Sequence, residues 1–122
     1  MLPAMSDAAS VDPEDRKIIT LARSARARNG VPEGAAVRDE TGRTYVAGTV
    51  ALASLELSAL RTAVAMAVAS GAMSLEAAAV VSAPGPDAPA EADLAAVRDL
   101  GGPGTPVFLA DPAGEIRSVT HT

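Results

Sequence analysis

Asp111-Pro112-Ala113-Gly114 leaves four residues between two short β-prone runs, Pro106 to Ala110 and Glu115 to Val119. A connection that short holds no crossover helix, so the two strands must pair antiparallel. Asp39-Glu40-Thr41-Gly42 imposes the same geometry on Ala35 to Arg38 and its partner, Arg43 to Val50. Between these hairpins lie two segments with helical spacing and one β-prone run. The first segment, about Leu55 to Ser70, carries Leu57, Leu60, Val64 and Val68 and stops at Gly71. The second runs from about Ala88 to Leu100, with Asp87 as its expected cap and Leu94 and Val97 inward. Ala77 to Ser82 reads as a buried strand between them, followed by the breaker run Ala83-Pro84-Gly85-Pro86. Strands joined through these helices lie parallel, with right-handed crossovers.

A further helix precedes the first hairpin. Asp12 is its N-cap, Pro13 stands in the first turn, and Glu14 and Asp15 complement the helix dipole. Ile18, Leu21, Ala22 and Ala25 recur at helical spacing, and Asn29-Gly30 closes it. The order is αββαβαββ, which predicts an α/β domain over residues 12–122 with a mixed five-stranded sheet and helices on its faces. Residues 1–11, rich in Ala, Ser and Asp without periodicity, read as a disordered leader. Hydrophobic residues make up 48% of the chain, yet only Tyr45 and Phe108 are aromatic. A core of Ala, Val, Leu and Ile brings elements close together and favours completing burial by self-association.

Several function classes are closed off at once. The chain has no cysteine, which excludes disulfides, thiolate nucleophiles and thiolate metal sites. Its one histidine, His121, is the penultimate residue, where chains commonly fray. A net charge of −5 argues against nucleic acid as a partner. Arg16, Lys17, Arg23, Arg26 and Arg28 crowd the first helix and read as its solvated face. No secretory leader is visible, and the longest apolar run, Ala63 to Ala69, is too short for a membrane span. A cytoplasmic protein is expected.

Four stretches carry a resemblance. Gly34-Ala35-Ala36-Val37, Ser58-Ala59-Leu60-Arg61-Thr62-Ala63, Pro84-Gly85-Pro86 and Pro89-Ala90-Glu91-Ala92-Asp93 follow one another at consistent spacing. They are similar to the motifs Val-Gly-Ala-Ala-Leu, Cys-Ala-Glu-Arg-Thr-Ala, Pro-Gly-Pro and Pro-Cys-Gly-Ala-Cys of the small homotetrameric cytidine deaminases. Asp111 to Ile116 resembles that family's closing hairpin, so the match extends from about Glu14 to Val119. The resemblance implies the three-layer fold of the zinc-dependent nucleoside deaminases, in which three ligands hold Zn²⁺ and a non-ligating Glu moves protons.

Matched residue by residue, the chemistry is missing. Ser58, Ala90 and Asp93 stand at the three ligand positions, and Leu60 stands where the catalytic Glu belongs. A hydroxyl, a methyl and one carboxylate do not make a tight zinc site, and Leu60 carries no proton. The ribose-binding Asn-x-Glu pair falls on Thr49-Val50-Ala51, the aromatic residue near the base falls on Val31, and the C-terminal aromatic segment would lie beyond Thr122. Arg61 matches an arginine that hydrogen-bonds the ligand thiolates, and Asp93 is expected to pair with it instead, in a bidentate contact within the vacated metal cavity.

The resemblance therefore implies a pseudoenzyme with neither catalytic residue, metal nor cofactor, acting as an oligomeric scaffold or regulatory partner. A homodimer or homotetramer is expected, packed through the face of Ala63, Ala67 and Ser70, besides an unidentified protein partner. A second reading is a nucleoside or small-molecule binder whose remodelled pocket comprises Thr49, Ser54, Glu56, Ser58, Arg61 and Asp93. A third is altered chemistry using Glu56, Glu91, Asp93 or Ser58, although no nucleophile among them has an identifiable base beside it.

Overall fold

A computed structural model describes residues 11–122, so the expected leader lies outside the described residues apart from Val11. Helix α1 spans Pro13–Asn29, capped by Asp12, whose carboxylate accepts from the Glu14 N–H at 2.7 Å. Gly30 ends it in the left-handed conformation, at φ 63°. Strand β1 (Glu33–Asp39) turns into β2 (Thr44–Gly48), and a small hairpin follows, β3 (Val50–Leu52) and β4 (Leu55–Leu57). Helix α2 (Ala59–Ala69), β5 (Leu75–Ser82), α3 (Glu91–Gly101), β6 (Pro106–Ala110) and β7 (Ile116–His121) complete the chain.

The main sheet has the order β2-β1-β5-β6-β7. Only β5 and β6 pair in parallel; β1 is antiparallel to both β2 and β5, and β7 is antiparallel to β6. This is the mixed five-stranded sheet expected from the two tight turns. Alternation along β1 and β5 sends side chains to two separate cores. On one face Ile18, Ile19 and Ala22 of α1 pack with Ala36, Ala79, Val81 and Phe108. On the other, Leu60 and Val64 of α2 and Leu94 and Val97 of α3 pack with Ala35, Val37, Ala78, Val80 and Val107. Small strand residues let the helices come close. Arg38 adds a polar tie, pairing Asp15 of α1 at 3.0 Å and Glu76 of β5 at 2.8 Å.

The first turn is held by one carboxylate. Asp39, only 2% exposed, accepts from the Thr41 hydroxyl, the Thr41 N–H and the Arg43 N–H on one oxygen, and from the Tyr45 hydroxyl on the other. These bonds, led by the Thr41 hydroxyl, hold its carboxyl below the usual aspartate value despite the opposing effect of burial. A depressed folded pKa adds stability that is present above the ordinary value and lost as pH falls through the folded one. Thermal midpoints measured between about pH 5 and pH 2 should therefore fall steeply for the native chain and less steeply for Asp39→Asn. Parallel curves would remove Asp39 as the source.

Some expected boundaries shift, for identifiable reasons. Leu55 and Leu57 belong to strand β4 rather than to a helix: Val50 pairs with Leu57 and Leu52 with Leu55. The turn between them, Ala53-Ser54, lacks Gly and Asn and so gives no hairpin signal. Arg43 to Val50 is likewise interrupted at Thr49. Asp87 does not cap the third helix, because Pro89 disfavours helical geometry at Ala88. Helix α3 instead starts after Ala90, whose side chain supplies no cap bond. Ala63 and Ala67 do not face outward for a neighbouring copy, since both are fully buried against the protein's own sheet. The large apolar residues that α2 turns outward are Met66 and Val68. His121 is not frayed but pairs with Pro106, and the Thr122 hydroxyl anchors the chain end on the Gly102 carbonyl at 2.7 Å.

Candidate functional site

Strands β2 and β5 run in the same direction, both antiparallel to the β1 between them. The helices that follow them therefore begin at the same end of the sheet, which brings Ser58 and Asp93 together. Ser58 is the N-cap of α2, in extended geometry at φ −64° and ψ 159°, and its oxygen accepts from the Arg61 N–H at 3.1 Å. Asp93 lies in the first turn of α3 and is 4% exposed. The segment leading to α3 is tied down by Arg117, which donates to the Ser82 carbonyl at 2.8 Å and the Pro86 carbonyl at 3.4 Å.

Three side chains close into one polar cluster. The Ser58 hydroxyl donates to Asp93 Oδ1 at 2.6 Å, and Arg61 Nε lies 3.3 Å from Ser58 Oγ and 3.6 Å from Asp93 Oδ1. Ser58 thus stands between arginine and carboxylate, and the pair makes a single ionic contact in place of the expected bidentate one. The Arg61 side chain is 41% exposed, so only the Asp93 end is out of water. Asp93→Ala leaves the Ser58 hydroxyl without its acceptor and should cost about 1–3 kcal/mol in urea unfolding. Asp93→Asn retains an acceptor and should cost less. A loss below about 0.5 kcal/mol for Asp93→Ala would assign the cluster no structural role.

The expected pocket residues divide. Thr49, Glu56, Ser58 and Arg61 line a cleft of about 410 Å³ together with Val50, Ala51 and Leu57. Asp93 stands behind it, reached through Ser58. Ser54 does not line it; it is exposed in the turn of the β3–β4 hairpin. Leu60, beside Arg61 in sequence, points the other way and is fully buried in the α2 core. Ala90 is exposed at the start of α3, with only a methyl to offer.

Glu33, which no sequence motif singles out, also belongs to this end of the sheet. Its backbone is fixed by Thr49, which accepts from the Glu33 N–H at 3.1 Å and donates to the Glu33 carbonyl at 3.3 Å. Burial, and then the neighbouring Asp93 carboxylate, push its carboxyl up, while the Ala59 N–H at the start of α2 pulls it back. Its only sequence signal was a charged residue directly before Gly34-Ala35-Ala36. Among the described residues no three of His, Cys, Asp and Glu are placed to hold a metal ion together, and no helix is long and apolar enough to cross a membrane.

A mixed five-stranded sheet covered on both faces, with two helix starts meeting at one polar cluster, agrees with the fold that the resemblance implies. A family model described as cytidine deaminase-like matches residues 11–114, and the chain belongs to that family. Cytidine deaminase from Burkholderia pseudomallei superimposes with a TM-score of 0.75 at 31% identity, over 86% of this chain and 90% of that one. Cytidine deaminase from Mycobacterium leprae gives 0.68 at 22% identity, over 90% and 94%. A mutant cytidine deaminase from Mycobacterium tuberculosis gives 0.65 at 23%, over 80% and 85%. These last two bear on the fold alone. No curated protein sequence matches.

Proposed function

We propose that this chain is a cytidine deaminase-like protein without zinc and without deaminase activity, acting as an oligomeric scaffold or regulatory partner in the cytoplasm. The observation that carries this reading is the burial of Leu60. At the position where the resemblance places the proton-carrying Glu stands an apolar side chain with no exposed surface, packed among the α2 core residues. The donor set agrees with it. Of the residues at the ligand positions, Ser58 spends its hydroxyl on Asp93, Ala90 has no donor, and Asp93 is engaged by Ser58 and Arg61. Such a set does not fit catalytic zinc, which takes three N, S or O ligands and an open position. A homodimer or homotetramer would cover the outward residues Met66 and Val68 of α2.

The test is metal content by mass spectrometry and cytidine turnover on one purified sample, with mass in solution by light scattering. No stoichiometric zinc, no uridine and a defined oligomer are expected. One zinc per chain with turnover would overturn the proposal. A second reading, a small-molecule binder, is favoured by the cleft of about 410 Å³, which falls within the usual range of ligand sites.

A further inference from the structure

We infer that the cleft beside Ser58 takes a small zwitterion of the amino-acid class, its ammonium held by Glu56 and its carboxylate by Arg61. The inference rests on the binder reading of this cleft and names the ligand chemistry that reading leaves open. The polar cluster decides which groups remain for a ligand. Arg61 turns Nε toward Ser58 and Asp93, which leaves its two terminal nitrogens for an acceptor in a side chain that is 41% exposed and lines the cleft. Ser58 is committed to Asp93, and Thr49 to the Glu33 backbone. Glu56 also lines the cleft, yet among the described residues the ion pair of Arg61 is with Asp93, and Glu56 makes none. A carboxylate and a guanidinium thus line one cleft with no ion pair between them. A molecule with both charges answers both groups.

The alternatives fit less well. A phosphate-bearing ligand would meet Glu56, with Glu33 and Asp93 close behind, and only one arginine to offset them. A neutral nucleoside could hydrogen-bond Glu56 and Arg61 but would leave both without a counter-charge. The starts of α2 and α3 add partial positive charge near Arg61, which favours the carboxylate end of a zwitterion there.

The experiment is titration calorimetry of the full chain with free L-amino acids, their N-acetyl and amide derivatives, and cytidine. A free amino acid should bind, and each derivative, having lost one charge, should bind at least about tenfold more weakly. Glu56→Gln, an exposed change on β4 that leaves the cores untouched, should weaken the free amino acid by a similar factor. It should not weaken the N-acetyl derivative, an anion whose repulsion by Glu56 it removes. Binding of cytidine with no response to the free amino acids would overturn the zwitterion while preserving the binder reading. Silence from every probe would overturn both. Equal binding of the parent and both derivatives would show that the two charges do not select the ligand.

Discussion

Gly34→Ala should destabilise the protein by about 3 kcal/mol or more, the upper end of what one overpacked methylene costs. Helix α1 crosses β1 at this glycine so closely that an added Cβ would overlap the Ala22 carbonyl and come within 2.7 Å of the Arg26 nitrogen. Both are backbone atoms of α1, so no side chain can swing aside; the helix itself must lift from the sheet. Lifting it opens the core of Ile18, Ile19 and Ala22 against Ala36 and Val81. Gly48→Ala is the control. Its Cβ would meet Val31 Cγ2 at 2.9 Å and Asn29 Nδ2 at 3.0 Å, the ends of side chains that can rotate. Guanidinium unfolding of the two variants should therefore differ by more than 1 kcal/mol. Equal losses would mean that α1 yields to the sheet with little resistance.

Leu60→Glu should be comparably damaging and should not restore chemistry. Removing a fully buried Leu side chain costs about 2–5 kcal/mol, and the introduced carboxylate has no exposed surface and no cation in its core. Burial would raise its folded pKa above the unfolded value. The sign then follows: the penalty is smallest below the ordinary glutamate pKa and grows as pH rises through the folded one. Denaturant midpoints at about pH 5 and about pH 8 should diverge more for this variant than for the native chain. Neither zinc uptake nor uridine formation is expected from it. Gain of either would mean that residue 60 can turn back toward the cleft, and burial of this position would no longer support the proposed loss of activity.

The main sheet was legible because tight turns and glycines leave few alternatives. Asp39 to Gly42 and Asp111 to Gly114 are too short for crossovers, so both hairpins followed from length alone. The β3–β4 hairpin was hidden because Leu57 also fits the helical series of Leu60, Val64 and Val68, while its turn carries no glycine. The site was partly legible. The resemblance placed Ser58, Arg61 and Asp93 in one neighbourhood, but neither Ser58 as the bridge between the other two nor the presence of Glu33 could be read from spacing. Both depend on how strand ends and helix starts meet across the sheet.

Local chemistry in the sequence determined the elements and two antiparallel hairpins of the main sheet, the absence of thiolates and the identity of each residue at the deaminase-like positions. Tertiary structure decided orientation: Leu60 into the core, Arg61 toward the cleft, Ala63 and Ala67 inward against the sheet. Successive residues on a helix point about 100° apart, so only part of each turn can face the sheet. Which part is buried depends on packing against strands distant in sequence, and no local pattern contains that information.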